Sequence, residues 1–494
     1  MRAGSTPGAP ASAGAPRTPR PSDPAGAERV QRALARHFGP SRLLVEEGDT
    51  FAYRRDASEA VGEPPAAVVL AESARDIELA LSVSADLRVP LVPRGGGTGK
   101  TGGAVPVEGG IVLDLRGFAR IREIDRREHL ALAEPGVLLS DFRAAVAKEG
   151  LFYAPDPASG RVACTLGGNV ATNAGGPRAL KYGVTGRHVL GLEAFLSGGQ
   201  RIFAGRRTAK GVTGYDVASL LVGSEGTLAV FGELTLRLLP PPECVLTLLV
   251  PFERMAHAAG AVMDIIEQGI GPSCLELLDL RISGGGILAE LVEPQLGSAV
   301  SDREALLLIE VDGSEQECEA RAGRLRAACR ARGSFDDRVA WRAEERERLW
   351  DVRSNMSATL RRTARYKLSE DIAVPRRCLG ELLDQLAALS ERRGVRSVAY
   401  GHAGDGNLHV NLLWDDPAEE ARVQGTIREL FELTVALGGT LSGEHGVGVL
   451  KAPYLPLEQS PELIALQRGL KQSFDPEGLL NPGKIFPRGS SAAP

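Results

Sequence analysis

Positive charge is not in excess in this chain of 494 residues: 58 Lys and Arg stand against 63 Asp and Glu, a formal balance of −5 with no long basic run, which argues against nucleic acid as a partner. Cysteine is sparse. The six residues Cys164, Cys244, Cys274, Cys318, Cys329 and Cys378 form no CxxC pair and no short ligand spacing, which disfavours a cysteine-held zinc or iron–sulfur centre and suits a reducing compartment. No stretch offers about 18 consecutive apolar residues, so a membrane-spanning helix is not expected and any membrane contact is peripheral. Residues 1–27, rich in Ala, Pro, Gly and Ser, lack the apolar core of a secretory signal and are expected to form a disordered tail. Together these absences point to a cytoplasmic location, with peripheral contact at the inner membrane left open.

What is present is length for two or three domains and a concentration of polar chemistry near the C-terminus. HAGDGNLHVN (His402 to Asn411) is followed about thirty residues later by SGEHGVG (Ser442 to Gly448). LHVNLLW from Leu408 reads as a β-strand, in which alternate side chains face opposite ways. His409 and Asn411 then share one face, and Leu408, Val410 and Leu412 supply the apolar other face. Gly404 and Gly406 argue against a helix between His402 and His409. Glu444 and His445 lie in a glycine-rich loop after a helical stretch ending near Gly438. Two imidazoles and one carboxylate, from His402, His409 and Glu444, suit a borderline-soft divalent ion with coordination positions left open for substrate, and zinc is the first choice.

The N-terminal half alternates strands and helices: AAVVLA from Ala66, a helix capped by Ser73, VPLVPR, then GIVLDL from Gly110. Between two of those strands, PRGGGTGKTGG (Pro93 to Gly103) mimics both a dinucleotide fingerprint and a Walker A loop. Gly103-Ala104-Val105-Pro106 cannot open the helix that either motif requires. What remains is a loop of exposed backbone N–H groups able to close around a pyrophosphate. Two more such regions, PDPASG (Pro155 to Gly160) with CTLGGNVATNAGG (Cys164 to Gly176), and VGSEGTLAVF (Val222 to Phe231), imply one large ligand. Beyond Pro242, the apolar runs CVLTLLV, LELLD, ALLLIEV, KLSEDIAV and VRSVAY, separated by helical stretches, predict a layered α+β plate.

In joint order, PRGGGTGKTGG, PDPAS, TLGGNVATNAGG, VGSEGTL, HAGDGNLH, SGEHGVG and the terminal DPEGLLNPGKIF resemble the flavin-dependent D-2-hydroxyacid dehydrogenases. That group includes the cytochrome-type D-lactate dehydrogenases, D-2-hydroxyglutarate dehydrogenases and the flavin subunit of glycolate oxidase. The resemblance implies an α+β fold: a two-subdomain FAD-binding domain of the PCMH or vanillyl-alcohol oxidase type over 28–241, a ferredoxin-like α/β cap domain for substrate over 242–440, and a segment 441–494 that completes the active site and packs back on the FAD domain. It further implies that Pro93, Arg94, Gly95, Gly96, Gly97, Thr98 and Gly99 hold the FAD pyrophosphate. Pro155, Ser159, Thr165, Gly168, Asn169 and Gly175 would line the flavin, with Ser224, Glu225, Gly226 and Thr227 near the adenine or ribose and Asn481 near the isoalloxazine. Thr98 stands where covalently flavinylated members carry His, so FAD is expected to be non-covalent.

By the same resemblance, Arg353 and Ser357, i,i+4 neighbours on one helix face, hold the substrate carboxylate, with Ser in place of the usual Thr. Lys367 matches a second cationic contact, with Arg365 as the alternative. The implied reaction oxidises an (R)-2-hydroxy acid to a 2-oxo acid by hydride transfer to flavin N5, with His445 as base, Asn411 steadying the substrate and the metal polarising the hydroxyl. An external acceptor is then expected: a quinone, cytochrome, electron-transfer flavoprotein or iron–sulfur subunit, with the chain a homodimer or one subunit of a complex. The rivals are a transferase of the alkyldihydroxyacetonephosphate synthase type on the same fold, and a zinc hydrolase with purely structural glycine loops.

Overall fold

The computed structural model describes residues 24–158, 163–281, 292 and 303–486. Two small sheets build the N-terminal half. In the first, β1 (Leu43–Leu44), β2 (Ala67–Leu70), β3 (Leu91–Arg94) and β4 (Ile111–Asp114) lie in the order β1-β2-β4-β3. Strands β2, β3 and β4 run parallel because the helix Ala74–Leu87 crosses over between them, started by Ser73, whose Oγ accepts the Asp76 N–H at 3.3 Å. From Gly103 the chain runs through turns directly into β4, so no helix follows the glycine loop and both nucleotide-motif alternatives fail on context, as expected.

The second sheet is antiparallel, in the order β5-β6-β9-β7-β8, from β5 (Ile121–Asp125), β6 (Leu130–Ala133), β7 (Val189–Phe195), β8 (Arg201–Gly205) and β9 (Val230–Arg237). Phe195 and Val230 at the ends of β7 and β9 enter the core of the first sheet, which joins the two units. A helix begins at Pro24, inside the stretch expected to be disordered up to Ala27, and buries Val30 and Leu34 against that same core. Proline is tolerated in a first helical turn, so the Pro/Ala/Gly composition masked the start of an amphipathic segment.

The cap is one seven-stranded antiparallel sheet, in the order β13-β10-β12-β11-β15-β16-β14. Its strands are β10 (Cys244–Phe252), β11 (Cys274–Asp279), β12 (Ala305–Gly313), β13 (Arg338–Ala340), β14 (Tyr366–Ala373), β15 (Arg396–Gly401) and β16 (Asn407–Trp414). One face packs under Met255–Glu267, Glu315–Ala331, Leu379–Arg393 and Glu420–Ala436, and takes Leu408, Val410 and Leu412 of β16. The other face lies under Ala343–Arg361 and takes Leu413 with Val398 and Tyr400. The predicted alternation therefore holds: His409 and Asn411 face the Ala343–Arg361 helix.

The C-terminal segment returns to the N-terminal half, where Leu480 pairs in parallel with Leu91 of β3. Its loop Ser442–Gly448 is tied to that half by Glu225, whose buried carboxylate accepts the N–H groups of Val447 (2.7 Å) and Gly448 (2.8 Å). Glu225→Ala leaves the buried Gly448 N–H and the half-buried Val447 N–H without their acceptor, at roughly 1–3 kcal/mol for a buried donor. The variant should lose about 2–5 kcal/mol of stability in urea unfolding; a change under about 0.5 kcal/mol would show that the clamp does not hold the loop.

Candidate active site

The glycine loops converge on one cleft enclosing about 1270 Å³, its open mouth included, which exceeds what a compact ligand needs. Pro93, Arg94, Gly95, Gly96, Gly97, Thr98 and Gly99 line it, as do Thr165, Gly168, Asn169, Gly175, Glu225 and Gly226. Backbone runs so close here that side chains are excluded: a Cβ on Gly95 would sit 2.3 Å from Thr165 Oγ1, and one on Gly96 only 1.8 Å from the Ala163 carbonyl oxygen. Thr165 caps the helix Leu166–Thr172, accepting the Gly168 N–H at 3.2 Å. Asn169 leaves a buried Nδ2 without a partner in the lining. Packed glycine backbone and an orphaned amide suit a dinucleotide, and Thr98 offers no histidine for a covalent link.

Four residues expected to contact the cofactor are absent from the cleft lining. Pro155 is not in the cleft lining, where Pro157 and Ala158 stand instead. Ser224 and Thr227 are not in the lining either; the Thr227 hydroxyl donates to the Ser224 carbonyl oxygen at 2.7 Å, while the buried Ser224 Oγ has no hydrogen-bond partner. Asn481 is also outside the lining; its Nδ2 donates to the carbonyl oxygens of Gly103 (2.8 Å) and Glu225 (2.7 Å), and its buried Oδ1 has no partner. Ser159 lies outside the described residues.

At one end of the cleft, Glu444 and His445 complete the lining. Glu444 Oε1 is 3.3 Å from His402 Nε2 and 3.5 Å from His409 Nε2, and one ligand atom from each of the three lies within 4.8 Å of the others. A second set, Asp371, His409 and His445, meets the same distance criterion. Its carboxylate is already engaged: Asp371 Oδ2 accepts the N–H groups of Glu444 and His445, both at 2.9 Å, and the Ser442 hydroxyl at 3.1 Å, while Oδ1 accepts Asn407 Nδ2 at 2.7 Å. Of the two, the first set is therefore the candidate cation site, and Asp371 acts as the anchor of its loop.

The donor set fits a divalent ion. Burial alone would depress the His402 imidazole, but Glu276 and Glu444 outweigh it and hold the ring well above its ordinary value. Burial would raise Glu444, yet His402 above all holds it down to about 2. Two buried carboxylates thus demand positive charge here, as a proton on His402 or as a metal ion in its place. Burial keeps His409 neutral down to about 3, the form that ligates, and Glu444 Oε2 is a buried oxygen without a hydrogen-bond partner.

The residues expected to hold a substrate carboxylate lie on the helix Ala343–Arg361 and strand β14. Arg353 Nε donates to Glu276 Oε2 at 2.6 Å and its guanidinium lies 4.7 Å over the Tyr400 ring; Lys367 Nζ donates to Ser357 Oγ at 3.0 Å. Lys367 feels Lys100 and Arg361, whereas Arg365 is exposed, its guanidinium over Tyr366. Of the two alternatives, Lys367 is the one turned toward the N-terminal half. Asn411 is fully buried and donates to the Val398 and His409 carbonyl oxygens, so its amide nitrogen braces β16; its Oδ1 has no partner. Glu276, Asp371, Tyr400 and Lys100 were not found from sequence. Glu276 and Asp371 carry no local signal, because only sheet register brings them to the histidines.

The profile described as "FAD linked oxidases, C-terminal domain" matches residues 241–485, and that described as "FAD binding domain" matches 65–205. Glycolate oxidase subunit GlcD of Bacillus subtilis (strain 168) is 38% identical over 92% of this chain and 96% of its own. The chain belongs to the FAD-linked oxidases. It is an FAD-binding oxidoreductase. D-lactate dehydrogenase of Archaeoglobus fulgidus is 36% identical over 88% of this chain and 95% of its own. In fold, substrate-bound p-cresol methylhydroxylase superposes with a TM-score of 0.72 at 16% identity, covering 93% of this chain and 96% of the other, which shows the PCMH-type architecture. No helix among the described residues is long and apolar enough to cross a membrane.

Gly96→Ala should yield protein depleted of FAD, read as loss of flavin absorbance per mole of chain; full occupancy would place the pyrophosphate elsewhere.

Proposed function

We propose that this FAD-linked oxidoreductase oxidises an (R)-2-hydroxy acid of the D-lactate, glycolate or D-2-hydroxyglutarate type to its 2-oxo acid. The observation that carries this is the placement of two consecutive residues. Glu444 and His445 line the FAD cleft, while Glu444 also faces His402 and His409. When bound, FAD supplies a hydride acceptor for the substrate Cα, and a divalent cation, zinc first, supplies a Lewis acid for the hydroxyl. His402, His409 and Glu444 would hold that cation.

Arg353 and Lys367 bind the carboxylate, and the Ser357 hydroxyl orients the Lys367 ammonium. His445 takes the hydroxyl proton. Burial, reinforced by Lys451 and Lys100 and opposed by Asp371 and Glu444, keeps its imidazole below the ordinary value and so neutral at working pH. The ring stacks on His409 at 5.2 Å with planes 12° apart, which fixes its orientation toward the cleft. Electrons then pass to an external quinone, cytochrome, flavoprotein or iron–sulfur partner. The naming of relatives as glycolate oxidase subunits supports membership of a complex.

His445→Ala should slow anaerobic flavin reduction by D-lactate or glycolate about 10²–10⁴-fold with FAD retained; an unchanged rate removes His445 as the base. Partial burial, with the like charges of Arg361 and Lys100, lowers Lys367 to about 8. Its charged form exists below that pKa, so KM should climb as pH passes about 8, and Lys367→Arg should abolish the climb. A KM flat from pH 7 to 9.5 in the parent protein would remove Lys367 from the clamp.

A further inference from the structure

Glu276 belongs to none of the motifs that mark the site, yet its two carboxylate oxygens end on two different machines. Oε1 lies 2.5 Å from His402 Nδ1, and Oε2 accepts Arg353 Nε at 2.6 Å. The side chain is wholly buried and Arg353 nearly so. Sheet geometry explains the meeting. Strands β11 and β15 pair with Leu277 opposite Gly401 and Leu278 opposite Tyr400; continuing that register by one residue sets Glu276 opposite His402. Leu275 and Leu277 point into the core on the far face, so Glu276 faces the Ala343–Arg361 helix that carries Arg353.

We propose that Glu276 is a positioning residue that locks the cation site and the substrate-carboxylate clamp into one unit, an inference that rests on the function proposed above. Each oxygen serves one half. By accepting a hydrogen bond from Nδ1–H, Oε1 fixes the His402 tautomer that presents a bare Nε2 lone pair toward Glu444 and His409. By engaging Nε, Oε2 orients the guanidinium over Tyr400 and leaves both terminal nitrogens outside this pair, in the fork geometry that matches a carboxylate. One rigid carboxylate thus sets the spacing between the hydroxyl-polarising cation and the carboxylate-binding cation. Those two points fix which atom of a 2-hydroxy acid faces the flavin.

Glutamine at this position keeps shape and volume but can serve only one partner. With its oxygen toward Arg353, its NH₂ faces His402 Nδ1, which must become the acceptor, so Nε2 carries the proton and cannot ligate. With its oxygen toward His402, its NH₂ opposes the Arg353 N–H. The test uses purified, FAD-loaded protein and two equilibrium readouts: zinc affinity by chelator competition, and binding of pyruvate, a 2-oxo acid product, by perturbation of the flavin spectrum. In Glu276→Gln, zinc should bind about 10–100-fold more weakly and pyruvate about 10-fold more weakly, with FAD content unchanged. His402→Ala and Arg353→Ala serve as references, the first losing zinc and the second pyruvate. Glu276→Asp, retaining both acceptors, should recover part of each affinity. Parent-like zinc and pyruvate affinities in Glu276→Gln, alongside losses in the two references, would overturn this role while leaving the proposed function intact. No loss in the references would overturn the proposed function itself.

Discussion

The structure turns on one short loop held by two buried carboxylates that belong to different halves of the chain. From the cap sheet, Asp371 receives the N–H groups of Glu444 and His445 and the Ser442 hydroxyl. From the FAD side, Glu225 receives Val447 and Gly448. A loop of seven residues with three glycines would otherwise sample many conformations at a large entropic cost. Charge-assisted bonds at both ends fix it. The consequence is chemical: Glu444 and His445 are placed at the junction where one neighbour can serve a cation and the next can serve a proton, each within reach of the cleft.

Burial makes this placement expensive and explains the density of partners. Glu276, Asp371 and Asn411 are fully excluded from solvent, with His402 and His409 nearly so. A lone charge there would be neutralised rather than tolerated. Instead, charges alternate: Lys451 donates to the Asp371 and Leu441 carbonyl oxygens, Arg353 meets Glu276, and His402 lies between Glu276 and Glu444. The residual demand for positive charge around Glu444 is one that the proposed divalent ion would meet. Burial keeps the His409 and His445 imidazoles neutral, the form that the proposed roles of ligand and proton acceptor require.

Sequence exposed those parts of the site that obey a short period or a local string. Alternation from Leu408 to Leu412 gave the strand and the face of His409, and the missing helix after Gly103 removed both nucleotide-motif alternatives. Glycine strings located the cleft lining but not every contact in it. The Thr227 hydroxyl and the Asn481 amide nitrogen, which looked like ligand groups, are spent on neighbouring carbonyl oxygens, because a hydroxyl or amide in a string does not reveal which way it turns. Composition misjudged the N-terminal boundary, since a proline-led helix starts inside an alanine- and glycine-rich stretch. Glu276 and Asp371 were invisible for a different reason: their partners lie across strand pairings set by register, 126 residues away for Glu276 and His402.

The central claim, that His402, His409 and Glu444 form a cation site at the end of the FAD cleft, is tested most directly by anomalous diffraction from crystals of the purified protein, collected on both sides of the zinc absorption edge. The account predicts a single strong anomalous peak about 2.0–2.2 Å from both histidine Nε2 atoms and a Glu444 oxygen, beside the flavin. A peak at Asp371 and His445 instead, or none at any tested metal edge in fully active protein, would contradict it.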